Sequence, residues 1–148
     1  MIPFIVLAAT FLFFYFLGWL GVAFFNDWLA CLRAALACMF LLTASAHWGR
    51  RRPDLIRMVP SGLGSAGLIV TLTGTLEIVG AIGLLIPATA KLAAAGLTLL
   101  LIAMFPANVR AARHEISIVG RKPAKLAVRT PLQIVFILAT LVAGGFIW

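Results

Sequence analysis

Acid is scarce in this chain. Its 148 residues hold four Asp or Glu against twelve Lys or Arg, and 11% of residues are charged while 64% are hydrophobic. No soluble domain of this size has a core that could absorb so much apolar surface, so composition points to an integral membrane protein. The two cysteines, Cys31 and Cys38, lie in one apolar run. Seven residues of helix separate them by about 10.5 Å, too far for a disulfide, and they read as small core residues. His47 and His114 stand apart, and neither has a second His or Cys at ligand spacing, so no metal site is expected. The sequence also lacks a haem-ligand pair, an iron–sulfur cysteine set and a dinucleotide glycine motif. Tyr15 is the single tyrosine, and no redox role is assigned to it. The net charge of +8 does not indicate nucleic acid. The basic residues sit between apolar runs, where they act as topology signals and contacts for lipid headgroups.

What remains is long apolar runs. They predict an all-α helical bundle, a single membrane domain over 1–148, with spans at 3–25, 28–48, 68–86, 92–109 and 131–148. The first is dense in Phe, has no Lys or Arg at its start and is too long for a signal-peptide core, so it reads as a retained helix. Its lack of charge places it at the bundle edge. Between the second and third spans, Pro53 to Val59 suggests one short interfacial helix, and Ser61 or Ser65 is available to cap the third span. Pro106 is expected to kink the end of the fourth span. Gly120 and Pro123 interrupt the long connection that follows. The second–third and fourth–fifth connections hold ten Lys or Arg, and the opposite side holds Lys91 alone. Positive residues stay in the cytoplasm, which sets the N-terminus inside and the C-terminus outside.

The third run, Leu68 to Pro87, carries Glu77 in its middle. On helical spacing its near neighbours are Thr73, Gly74, Gly80 and Ala81, whereas Leu72, Val79, Ile82 and Ile86 fall on the far side. The helix thus has an apolar back and a small-residue front suited to close helix contact. Its aliphatic residues each favour the membrane by roughly 0.3–0.6 kcal/mol, and one central charge costs on the order of 3 kcal/mol. Glu77 is therefore expected to face protein, a cavity or a cation. Arg33, five residues inside the second span, is one candidate for that cation; the other reading is that it snorkels to the surface. His47 lies near the Arg33 face but about 21 Å further along the axis. Asn108, beside Pro106, is placed to satisfy a freed carbonyl or to contact a ligand.

Several of these pieces resemble the DoxX family of small membrane proteins. They are Arg33 early in a span, His47 at its end, the DLIRMVP segment before the third span, GTLEIVGAIGLLIP around Glu77 and MFPANVRAA at the end of the fourth span. The resemblance implies a four-helix bundle, here with one extra N-terminal transmembrane helix. It also implies a link to membrane oxidoreductases, a small subunit of thiosulfate:quinone oxidoreduction among them, in a bacterial inner (plasma) membrane. Three functions are then open. The first is a small or accessory subunit of a redox complex, with no intrinsic cofactor, that holds a quinone or bound lipid through Arg33, Glu77, Asn108 and His47 in an apolar setting. The second is a non-catalytic assembly subunit that docks other membrane subunits, or a second copy of itself, through small-residue faces. The third is a small proton-coupled transporter with Glu77 as carrier. None makes the chain an enzyme on its own.

The topology is open to direct test. A reporter fused after Trp148 should read as periplasmic or extracellular; a cytoplasmic reading would overturn the five-span arrangement.

Overall fold

The computed structural model describes residues 1–147 apart from 61, 63, 115 and 117–124. Among them every regular element is helical: α1 (Ile2–Trp19), a one-turn 3-10 helix (Ala23–Phe25), α2 (Trp28–Ser45), α3 (Arg52–Met58), α4 (Ala66–Leu85), α5 (Ala90–Arg113) and α6 (Leu126–Ala143). All but α3 and the 3-10 turn are long and apolar enough to cross a membrane. Helix α2 packs on α4, α4 on α5, α5 on α6, and α6 returns to α2, closing a four-helix bundle. Helix α1 lies on the outside of α2. It is at the edge yet not idle, because Leu7 is buried in the core and Phe11 and Phe14 pack against it. The expected breaks at Gly120 and Pro123, and the possible cap Ser61, lie outside the described residues.

Several span limits differ from the sequence expectation for local reasons. The first helix stops at Trp19 rather than Phe25. Gly21 takes φ +96°, the left-handed conformation that glycine adopts without penalty. The Ala23–Phe25 turn then folds back until a side chain at Gly18 would collide with the Phe25 carbonyl, and Phe25 stacks on Phe14 at 4.7 Å. The turn is as apolar as the helix, so hydropathy alone cannot find it. Helix α6 begins at Leu126, not Pro131, and Pro131 lies inside it. Helix α5 runs unbroken through Pro106 to Arg113. One turn before that proline, the Leu101 carbonyl accepts a 2.6 Å hydrogen bond from Gln133 of α6. The carbonyl that Pro106 leaves without its helical donor is that of Ile102, four residues back, so the Gln133 bond ties α6 to α5 beside the proline and does not replace the lost one.

Capping follows the expectations in part. Asp27 caps α2, its carboxylate accepting from the Leu29 amide at 3.0 Å. The short helix forms over Arg52–Met58 with proline in its first turn. Ser65 occupies the N-cap position of α4 but makes no side-chain cap bond.

The two faces of α4 are as its sequence predicts. Gly74, Glu77, Gly80, Ala81 and Leu84 are buried, and Leu72, Val79, Ile82 and Ile86 are exposed. The glycines set the approach distance of the helices. A Cβ added at Gly80 would lie 2.5 Å from the Leu97 side chain, and one at Gly83 would lie 2.8 Å from Ala93. Both contacts are with α5. The interior they close around holds Leu36, Met39, Phe40, Ala81, Leu84 and Leu97. Helices α5 and α6 are joined by a buried Thr98–Thr140 hydroxyl pair at 2.8 Å.

A substitution pair isolates this packing. Gly80→Val should destabilise the protein in detergent by about 1–3 kcal/mol, the cost of overpacking. Gly96→Ala on α5, where an added Cβ meets nothing within 4 Å, should leave the thermal midpoint nearly unchanged. Equal effects of the two substitutions would contradict this helix contact.

Candidate functional site

Glu77 faces α2, and its surroundings follow from the crossing of the two helices. Gly74, one turn earlier on α4, leaves room for residues at the end of α2. A Cβ there would lie 2.7 Å from the Cβ and Cγ of His47 and 2.8 Å from the Trp48 ring. His47 is thus pressed against α4, 4% exposed, and Glu77 beside it is also 4% exposed. Their closest approach, from His47 Nδ1 to Glu77 Oε2, is 4.0 Å. That is beyond hydrogen-bond reach. The direct partner of Glu77 is Thr43, whose Oγ1 lies 2.9 Å from Oε2.

The polar atoms here are tightly constrained. His47 Nδ1 is 3.2 Å from the Thr43 carbonyl and 3.3 Å from that of Ala44. A carbonyl only accepts, so Nδ1 carries the hydrogen and Nε2 is the acceptor in the neutral ring. Thr43 Oγ1 is also 3.0 Å from the Phe40 carbonyl. One hydroxyl hydrogen therefore faces two acceptors, and both contacts are satisfied together when the carboxyl of Glu77 supplies a second hydrogen.

Arg52 closes this end of the site. Its guanidinium donates to the His47 carbonyl at 2.8 Å, to the Gly67 carbonyl at 3.2 Å and to Thr71 Oγ1 at 2.9 Å. It ties the end of α2 to the first turns of α4. Asp54 and Arg57 form an ion pair on α3 close by.

Arg33 does not meet Glu77. Its Nε donates to the carbonyl of Ala143, the last residue of α6, at 2.9 Å. Helix-terminal carbonyls lack an intrahelical donor, and a cation there also complements the helix dipole. Arg33 lines a recess with Asp27, Leu84, Leu85 and Pro87 at the Lys91 end of the bundle. Glu77 instead faces Thr43, ten residues along α2 and hence about 15 Å from the level of Arg33. The expectation that Arg33 is the cation facing Glu77 is therefore not met. The register set by Gly74 against His47 decides otherwise.

Asn108 belongs to a third group, between α5 and α6. Its amide donates to Gln133 Oε1 at 3.3 Å and its carbonyl oxygen accepts from Arg129 Nη1 at 3.1 Å. Of the four expected site residues, the structure brings Glu77 and His47 together and leaves Arg33 and Asn108 in separate places. Each of the three groups is held by hydrogen bonds of its own.

Sequence reading missed Thr43, Arg52, Arg129 and Gln133. Thr43 had a usable signal, being four residues before His47 and so on the same helix face. Gln133 also stood out as a polar residue within an apolar run. Arg52 was hidden among three consecutive arginines.

A double-mutant cycle tests the arrangement. Thr43→Val and Glu77→Gln should be non-additive in detergent stability, with a coupling of about 0.5–3 kcal/mol. Arg33→Leu and Glu77→Gln should add within about 0.5 kcal/mol, as for sites that share no partner. Strong coupling between Arg33 and Glu77 would overturn the assignment.

No curated protein and no solved structure matches this chain. A family model described as a domain of unknown function, DUF8561, matches residues 36–143. The match runs from Leu36 within α2 to the last residue of α6. It contains Thr43, His47, Glu77, Asn108 and Gln133 and excludes α1 and Arg33. The chain belongs to the DUF8561 family.

Proposed function

We propose that this protein is a DoxX-like accessory subunit of a membrane redox complex, not catalytic alone, which offers Glu77 to a quinone or lipid-like ligand. In this reading it lies in a bacterial inner membrane with its N-terminus in the cytoplasm. The observation that carries the reading is the Glu77–Thr43–His47 group. An acid is buried in the bundle beside a hydroxyl and an imidazole, with one more acceptor than the hydroxyl can serve. Acids inside membranes mark ligand or proton sites by default, and quinone chemistry needs both a polar anchor and a proton.

Two features weigh against the other readings. A transporter needs a polar route on both sides of its carrier. Between Glu77 and the Lys91 end, α2 and α4 present Leu36, Phe40, Ala81 and Leu84 to the core. An assembly subunit that docks partners through its small-residue faces needs those faces free. Gly74, Gly80 and Gly83 are already occupied by His47, Leu97 and Ala93 of the same chain.

Mass spectrometry of the full chain purified with its native lipids tests the proposal. The wild type should retain a quinone or lipid in near-stoichiometric amount, and Glu77→Leu should lose it while staying folded. A wild type that carries no such ligand but retains a stoichiometric protein subunit would replace this reading with the assembly one.

A further inference from the structure

The group around Arg129 is not used by the Glu77 site, and its chemistry is incomplete. Arg129 stands one turn into α6, at the end of the bundle that also holds Arg50, Arg51, Arg52, Arg57, Arg110 and Arg113. Its Nη1 is engaged by Asn108 Oδ1. Asn108 is in turn held by Gln133, which is 8% exposed and anchored on the Leu101 carbonyl. Among the described residues the guanidinium is held by neutral groups. Its Nε is buried and has no hydrogen-bond partner, and the same holds for Nε of Arg110 on α5. Among the described residues no acid forms an ion pair with Arg129.

A buried donor left without an acceptor costs about 1–3 kcal/mol, and the enclosed Nε of Arg129 is such a donor. Arginine is also the side chain suited to paired, planar recognition of phosphate oxygens. Helix α6 adds to this. Its N-terminus has Lys125 at the N-cap, no side-chain cap and no acid in the first turn, so its free amides and dipole favour an anion. Basic pockets between membrane helices on the positively charged side are places where anionic lipid headgroups bind.

We infer that Arg129, held by Asn108 and Gln133 between α5 and α6, binds a phosphate group, carried by an anionic phospholipid headgroup or free in solution. This does not depend on the redox reading of Glu77.

The probes are phosphatidylglycerol, phosphatidylcholine and inorganic phosphate, each titrated against the full chain in detergent. Native mass spectrometry counts bound lipid, and thermal unfolding reports stabilisation. The wild type should bind phosphatidylglycerol in preference to phosphatidylcholine and unfold at a higher temperature with it. Arg129→Gln should weaken that binding about tenfold or more, the loss expected for one charge-assisted hydrogen bond. Arg51→Gln removes the same charge from an exposed position at the same end and should keep wild-type binding. Arg129→Lys, which retains the charge without the planar fork, covers the case in which the Gln variant does not fold, and should bind more weakly than wild type. Stabilisation by phosphatidylglycerol alone assigns the site to a lipid; an equal, Arg129-dependent effect of inorganic phosphate assigns it to the free ion. The inference fails if the wild type responds to neither, if Arg51→Gln loses as much as Arg129→Gln, or if Arg129→Lys binds like wild type where the Gln variant does not fold.

Discussion

A carboxyl group cannot be left bare in a hydrocarbon layer, and the contact between α2 and α4 is organised by that constraint. Glu77 needs a polar partner within the bundle, and the partner has to come from a neighbouring helix. Thr43 supplies it at 2.9 Å. Thr43 reaches Glu77 because α4 comes very close to the end of α2, and the close approach exists because residue 74 is glycine. A larger residue there would displace His47 and Trp48, and with them the depth at which Glu77 meets α2. One missing side chain therefore fixes the register of two helices and the surroundings of the buried acid.

The same need is met differently elsewhere. Between α5 and α6 the polar groups pair across the interface: Thr98 with Thr140, Gln133 with the Leu101 carbonyl, Asn108 with Gln133 and Arg129. Interhelical hydrogen bonds of this kind contribute modestly to association in membranes, about 0.6 kcal/mol on average. Their larger effect is to fix which faces meet. At the helix ends arginine takes over. Arg33 satisfies the terminal carbonyl of α6, and Arg52 bridges the end of α2 and the start of α4. Both arginines are held by uncharged oxygens, so in this chain a charge inside or near a span does not imply an ion pair.

Polar residues scattered along an apolar chain invite the idea of one shared pocket. Here they form three groups at different depths and on different helix pairs. Glu77 and His47 lie between α2 and α4, Arg33 at the Lys91 end, and Asn108 with Arg129 and Gln133 between α5 and α6. The separation matters for chemistry. An acid with a hydroxyl and an imidazole suits proton and headgroup contacts, whereas an arginine fixed by amides suits an oxyanion. The family match covers the first and third groups and leaves Arg33 outside.

The sequence by itself determined the helical class, the five apolar spans and the two faces of α4. Hydropathy and a 3.6-residue period are local properties, and nothing in the packing opposes them. It also marked Glu77, because one acid in an apolar run is visible without a fold. What it could not determine was depth and pairing. The end of α1 at Trp19 is hidden because its turn is apolar, and the start of α6 is hidden because a proline such as Pro131 ordinarily marks a helix boundary yet here lies inside the helix. The partner of Glu77 depended on how far α4 slides along α2, and that distance is set by contact between Gly74 and His47, residues 27 apart in sequence. The sequence offered Arg33 as a cation for Glu77, because each is a charge inside an apolar span. Only the tertiary structure, in which side-chain volume at the crossing decides the register, gave Arg33 to the end of α6 and Glu77 to Thr43.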